Sequence, residues 1–531
     1  MMFLINLKKI NLKIYKLMLV KTYSSTVFGI NATTITIEVN LGIGINFYLV
    51  GLPDSAVKES QQRIKAAFKN NDLKFPGREI TVNMAPADIR KEGSVFDLPI
   101  AIGILAVSEQ VKNNFLDKYL LIGELSLDGS IQPTKGILPI AIQAKKEGFK
   151  GIIVPKANAT EAAVVHDLEV YGAENILEVV SFLNSEETTL KIEKIDVINQ
   201  FERMIETFDV DFKDVKGQLN IKRAFEIAAS GGHNVILIGP PGAGKSMLAK
   251  RLSTILPPMS LEEALETTKI HSVAGKVKGE IGLITQRPFR KPHHTVSDVG
   301  LIGGGSYPQP GEISLAHNGV LFLDELPEYK RQVLEVLRQP LEDRTVNISR
   351  AKFSVDYPAG FMLVAAMNPC PCGYFNHPEK DCVCPPGTVQ RYLNKISGPL
   401  LDRIDIHIEV TPVSFEELTN SVPTEGSIEI RKRVESARNI QKTRYKNRIG
   451  MHCNAQMTKN EFDLHCKLDD SGNQILKRAM DTMGLSARAY DRILKVARTI
   501  ADLDESQTIE AKHLAEAIQY RSLDKNNWSL N

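Results

Sequence analysis

Between residues 20 and 183, short runs such as "TTITIEVNL", "NFYLVGL", "REITVNMA" and "KGIIVP" carry strand-like apolar patterning. They are separated by "DSAVKESQQRIKAAFKNN", "DLPIAIGILAVSEQV" and "GILPIAIQAKKEG", whose apolar positions recur at helical spacing. Strand and helix periods in turn predict an α/β domain over residues 18–185. The alternation begins at "MLVKTYSSTVFGI", which Met18 opens, so residues 1–17 read either as an upstream extension before the true start or as a weakly amphipathic tail. Lys8, Lys9, Lys13 and Lys16 interrupt that segment, and no run approaches the roughly 20 apolar positions of a membrane span. From Asn184 a charged stretch without glycine predicts a linker over 186–209, followed by a second α/β unit over 210–412. Beyond it, "RKRVESARNIQKTRYKNR", "SGNQILKRAMDTMG", "SARAYDRILKVARTIADLD" and "EAKHLAEAIQYRSL" predict an α-helical third domain, 413–531.

Length and charge change this picture little. The 531 residues suffice for two to four domains. Lys plus Arg number 65 against 63 Asp plus Glu, so any case for a nucleic-acid partner has to be local. Six cysteines are too sparse for a secreted disulfide scaffold, and a reducing cytoplasm is the expected setting.

The strongest chemical signal is "HNVILIGPPGAGKSMLAKRL", in which an apolar strand, Val235 to Ile238, feeds a G-x-x-x-x-G-K-S loop and then a helix. In such a loop, here Gly239, Pro240, Pro241, Gly242, Ala243 and Gly244, the glycines let backbone amides turn toward phosphate oxygens. Lys245 reaches the β and γ phosphates of ATP, and Ser246 ligates magnesium. A second apolar strand, "GVLFLDEL", ends in Asp324, a candidate for holding the metal, and Glu325, a candidate for activating water; a helix N-cap is the plainer alternative. A third, "FMLVAAMNP", ends at Asn368, placed to orient water beside the γ phosphate or simply to open a turn.

The order of these three elements, with "SGPLLDRIDIHIEV" after them, resembles an AAA+ ATPase. The resemblance implies that Arg403 reaches a neighbouring subunit's nucleotide, an ion pair with Asp402 or Asp405 being the alternative. It also makes "LSARAYDRIL" similar to a lid helix whose Arg488 reaches the γ phosphate, with Arg492 a rival for that role. More narrowly, "RPFRKPHHTVSDVGLIGGGSYPQPGEISLAHNGVLFLDE", "VLEVLRQPLEDRTVNISRAKFSVDYPAGFMLVAAMNPCPCG" and "KTYSSTVFGINATTITIEVNLGIGINFYLVGLPDSAVKES" resemble the magnesium-chelatase-like ATPases typified by YifB and ComM. The likeness runs from Met18 onward. It implies a helix-2 insert in "DVGLIGGGSYPQPGEISL" and a presensor-1 hairpin in "EDRTVNISRAKFSVDYPAG". Arg350 and Lys352 near the hairpin tip, with Lys291, His293 and His294 before the insert, would offer cations to DNA in a ring channel; a solvated hairpin is the alternative. The helix bearing Arg431, Lys432, Arg433, Arg438, Lys442, Arg444, Lys446 and Arg448 reads equally as a solvated face or a phosphate contact.

The segment from "GELSLDGSIQPTKGIL" to "KANATEA" is similar to the Lon-protease domain, and setting "KEGSVFDLPIA" and "PTKGIL" on that domain's serine and lysine segments puts Val95 and Leu138 where the catalytic pair belongs. The implied domain is an inactive scaffold, with a shifted dyad of Ser94 and Lys135 the remaining alternative. Finally, Cys370, Cys372, Cys382 and Cys384 form two C-x-C pairs nine residues apart. Four thiolates are the count a closed tetrahedral zinc site wants, although C-x-C is tighter than the usual spacing; the readings are a structural zinc clip or an unmetallated loop, with His377 a substitute ligand. The resulting expectation is a cytoplasmic, hexameric ATPase using ATP and Mg to move on DNA, in branch migration of incoming DNA. A chelatase-type or protein-remodelling motor is the alternative.

Overall fold

Ile35, Ile37 and Val39 alternate with half-buried polar residues, so one face of their strand packs inward, where β-branched side chains fit a pleated surface. This strand belongs to a computed structural model that describes residues 19–112, 114–185, 190–196, 201, 208–277, 282–305, 307–350, 353–375, 377, 379–412, 424–446, 448 and 450–521. The chain divides into two compact units, residues 1–197 with 272–282, and residues 198–271 with 283–531.

The first unit is built on strands β1 (Leu19–Phe28), β2 (Asn31–Gly42), β3 (Phe47–Val50), β4 (Glu79–Ala85), β5 (Tyr119–Leu121), β8 (Gly151–Pro155) and β9 (Glu169–Ala173), while β6 (Glu124–Leu125) and β7 (Ile131–Gln132) form a small hairpin. The sheet order is β3-β4-β2-β1-β5-β8-β9, antiparallel across β4-β2-β1 and parallel elsewhere. The helix Asp97–Val107 is apolar all round and entirely buried against β1 and β2, as such a pattern requires. Its one charge, Asp97, is met by Arg63 at 2.6 and 2.9 Å. Ser272 belongs to this unit: its carbonyl accepts from Gly136 N–H at 3.0 Å and its hydroxyl donates to the buried Glu161.

The second unit carries β10 (Val235–Ile238), β11 (Phe289–Arg290), β12 (Gly303–Gly304), β13 (Gln309–Pro310), β14 (Val320–Leu323), β15 (Thr345–Arg350), β16 (Phe353–Pro358), β17 (Met362–Met367) and β18 (Ile406–Glu409). Five of these make one parallel sheet, ordered β11-β14-β17-β10-β18. Every residue of β10, β14 and β17 is buried, which is why each reads as an unbroken apolar run rather than an alternation. β15 and β16 form an antiparallel hairpin pairing Arg350 with Phe353. The α/β reading with a parallel sheet therefore holds.

The C-terminal helices appear as Ser427–Arg444, Asp470–Met483, Ala487–Leu503 and Ala511–Gln519, and they pack into the second unit; Ser427–Arg444 and Ala487–Leu503 both lie against the helix Leu219–Gly231. No described helix is long and apolar enough to cross a membrane. The basic helix is a structural element in this fold. Arg431 donates to the Thr254 carbonyl at 2.8 Å, Arg433 to Glu226 and Glu425, Arg438 to the Ala229 carbonyl, Arg444 to Asp502, and Arg448 to Glu461.

Asp502 gathers the largest share of this charge. Fully buried, it accepts from Arg444 at 2.5 and 2.8 Å, from Arg498 at 3.1 Å and from Asn454 at 2.8 Å. Asp502→Ala leaves two guanidinium groups buried without their anion and should destabilise the second unit by about 3–5 kcal/mol in urea unfolding followed by circular dichroism. A loss under about 1 kcal/mol would mean that the cluster is solvated rather than a closed network.

Candidate active site

β10 ends in a loop whose last glycine, Gly244, adopts φ 80° and opens the helix Lys245–Ile255. The left-handed conformation turns the chain sharply enough to bring Lys245 back over the loop, a geometry glycine permits at low cost. The Lys245 ammonium donates to the Gly239 and Pro240 carbonyls at 2.7 and 2.9 Å and to Asn368 Oδ1 at 3.0 Å. Asn368 reaches it because β17 is the immediate neighbour of β10, with Ile238 level with Met367. Burial pushes the Lys245 pKa down, against the pull of Asp324.

Ser246 Oγ donates to Asp324 Oδ2 at 2.6 Å. Burial raises the Asp324 pKa, but hydrogen bonds from Ser246 and Lys291 outweigh it and hold the carboxyl below its ordinary value. Glu325 follows with φ 53°, a strained conformation for a residue with a side chain. Together the loop, Ser246, Asp324, Glu325 and Asn368 line a cavity of about 400 Å³ outside the carboxyl ends of the strands, where ligands bind in open α/β sheets.

Lys291, expected on a DNA track, is placed here instead: its ammonium lies 2.9 Å from Asp324 Oδ2 and 5.1 Å over the Phe322 ring. His294 Nδ1 is 3.3 Å from Glu325 Oε2, a contact that the sequence reading missed. Tyr329 holds this segment by donating to the Pro292 carbonyl at 2.7 Å. The only sequence signal for the pair is that both follow β11, the strand beside β14.

The outlying arginines fall into three situations. Arg403 is buried, 2.6 Å from Glu342 and donating to the Pro399 carbonyl at 2.6 Å, while its Nε has no hydrogen-bond partner among the described residues. Its ion pair is thus with neither Asp402 nor Asp405. Arg492, the rival for the lid role, is tied to Asp405 at 2.8 Å, whereas Arg488, one turn earlier on the same helix, is exposed. Arg350 ends β15, and Lys352 lies outside the described residues.

In the first unit Leu138 is fully buried and Val95 packs against the core. The Ser94 hydroxyl donates to Glu124, and among the described residues no lysine amine meets it.

The four cysteines come together, with all Sγ atoms within 4.8 Å of one another. Cys370, Cys372 and Cys382 are separated by 3.2, 3.5 and 3.7 Å, close to the roughly 3.8 Å between sulfurs on a tetrahedral zinc with Zn–S about 2.3 Å. Backbone N–H groups of Gly373 and Phe375 point at Cys370, and those of Tyr374 and Val383 at Cys372. Such donors stabilise thiolates, so the set fits a thiophilic cation. Burial pushes the Cys370 thiol up to about 12; at Cys372 burial is outweighed by those N–H groups, which bring it down to about 6.

Comparison with known proteins gives three family matches. "Magnesium chelatase, subunit ChlI" covers residues 211–418, "Subunit ChlI of Mg-chelatase" 37–158, and "Magnesium chelatase, subunit ChlI C-terminal" 424–521. The chain is 45% identical over 508 residues to competence protein ComM of Haemophilus influenzae, covering 94% of this chain and 97% of that one. To YifB of Escherichia coli it is 43% identical over 505 residues, covering 95% and 97%. A shorter stretch of 242 residues is 25% identical to DNA replication licensing factor mcm7 of Schizosaccharomyces pombe, covering 42% of this chain and 29% of that one. Kinship of this kind suggests an ATPase.

Because Lys291 sits on Asp324, Lys291→Ala should lower ATP turnover by about tenfold or more. DNA affinity in a fluorescence anisotropy assay should be unchanged. The opposite pattern, weaker DNA binding at full turnover, would return Lys291 to a track-binding role.

Proposed function

The chain belongs to the magnesium-chelatase-like AAA+ family of YifB and ComM, and from that premise we propose that it is an ATPase working as a ring, a hexamer, that drives movement along DNA in the cytoplasm. The observation that carries the reading is the meeting of Lys245 with Asn368 and of Ser246 with Asp324 in one cavity, at the ends of neighbouring parallel strands.

In this reading Lys245 and the loop amides bind the phosphates, while Ser246 and Asp324 hold Mg²⁺, which supplies charge neutralisation on the phosphates. Glu325 takes the proton of the attacking water, Asn368 orients that water, and Arg488 approaches from the lid. His294 steadies the Glu325 carboxylate. The four cysteines hold a structural zinc, and the first domain is a Lon-like scaffold without proteolytic chemistry.

Support for a DNA substrate comes from Arg350 at the end of β15 in a two-stranded hairpin, and from relatives whose names speak of competence and of DNA replication. Branch migration of incoming DNA is the finer form of this proposal.

ATP hydrolysis should rise severalfold with single-stranded, duplex or four-way-junction DNA, and the rise should vanish in an Arg350→Ala/Lys352→Ala variant. Turnover indifferent to every DNA would shift the reading to a protein-remodelling or metal-insertion motor.

Arg403→Ala should lose on the order of 10³-fold in turnover, as removal of a trans-acting arginine does. Doping Arg403→Ala rings with subunits that carry Arg403 but lack Lys245 should restore activity. Without such rescue, Arg403 would be only the ion partner of Glu342.

A further inference from the structure

The cysteine cluster is joined to the nucleotide cavity at three points. Cys370 follows Asn368 by two residues, at the end of β17. Tyr392, buried on the helix Thr388–Leu393 that follows the cluster, accepts a hydrogen bond from the Asn368 backbone N–H. Gly373 lies so close to the phosphate-binding loop that a Cβ there would stand 2.4 Å from Pro241 Cδ, and with φ 86° the position admits glycine alone without strain.

We propose that the four thiolates bind a zinc-class divalent cation whose occupancy is thermodynamically coupled to nucleotide binding through Asn368 and Pro241. This inference rests on the reading of the cavity as the nucleotide site. The physical reason is preorganisation. Four metal–sulfur bonds tie together the segment that carries Gly373 against the loop and leads into the helix Thr388–Leu393, whose Tyr392 lies under Asn368. When the bonds are gone, the segment regains conformational freedom, and nucleotide binding has to order it again. Linkage makes the effect reciprocal: whatever factor the metal adds to nucleotide affinity, the nucleotide adds to metal affinity.

The full-length protein would be assayed for bound zinc by mass spectrometry and for cobalt uptake by its thiolate-to-metal charge-transfer band. The metal would then be stripped with a chelator under reducing conditions, folding checked by circular dichroism, and the affinity for a fluorescent ADP measured before stripping, after it and on reloading. Stripping should weaken ADP binding about tenfold, reloading should restore it, and ADP should raise metal affinity against the chelator by the same factor. Cys384→His, which keeps four ligands, should retain metal and ADP binding. Gly373→Ala, which leaves all thiolates in place but presses on Pro241, should keep the metal and still bind ADP more weakly.

ADP affinity that is equal in the loaded and stripped folded protein overturns the coupling. Should the stripped protein unfold, a loaded Gly373→Ala protein with unaltered ADP affinity does so. Absence of both zinc and cobalt uptake overturns the metal site. Undiminished ADP binding by Lys245→Ala, in contrast, strikes the reading of the cavity itself.

Discussion

The Lys245 ammonium has three protons to satisfy in a place where burial opposes its charge, and it meets that demand with two loop carbonyls and the Asn368 amide oxygen. Each acceptor imposes a condition on the fold. The Gly239 and Pro240 carbonyls face the lysine only because the loop turns back on itself through Gly244. Asn368 faces it only because β17 lies directly beside β10 with their carboxyl ends level. A different strand order would leave the lysine short of an acceptor and carry Asn368 away from the loop. The same order puts β14 one strand further out, and Ser246, at the start of the helix, spans the gap to Asp324.

Charge balance on the far side follows the same logic. Asp324 accepts from Ser246 and Lys291 together, so a cation faces the carboxylate that is proposed to hold magnesium. At the amino ends of β10 and β18, Asp405 is fully buried; burial raises its pKa, but Arg492, His233 and the Asn234 N–H hold it well below the usual carboxylate range. That ion pair ties the helix Ala487–Leu503 to the turn before β18. Arg488 lies four residues before Arg492, about 6 Å along the axis, so the pair fixes where the exposed arginine can reach.

What the sequence made legible is what local patterning controls. The buried strands β10, β14 and β17 read as apolar runs, the loop glycines as a turn, and the cysteines as a cluster because their spacing is short. The rest depends on partners far along the chain. Glu342 and Arg403 meet only in the fold, and the arginines of Ser427–Arg444, which read equally as solvent-facing or phosphate-binding, turn out to face Thr254, Glu226, Ala229 and Asp502. The contacts of Lys291 with Asp324 and of His294 with Glu325 were not legible because β11 is two residues long, too short to mark itself as the neighbour of β14. The approach of Gly373 to Pro241 has no sequence signature, since glycine after a C-x-C reads as an ordinary turn.

The setting of Arg403 bears on how a ring of this kind would signal between subunits. Its side chain is 5% exposed, that of Glu342 is 45% exposed, and Nε lacks a partner among the described residues, so the site is well enclosed yet incompletely satisfied. A pair with one member in water is weakly held, whereas an unpaired buried donor carries a penalty of about 1–3 kcal/mol. Leaving Glu342 for a neighbour's triphosphate would relieve that penalty and exchange one carboxylate for several phosphate oxygens. On the proposed role in trans, nucleotide next door would therefore compete with Glu342 for Arg403, and the difference between the two affinities would set how far ATP in one subunit shifts the conformation of the next.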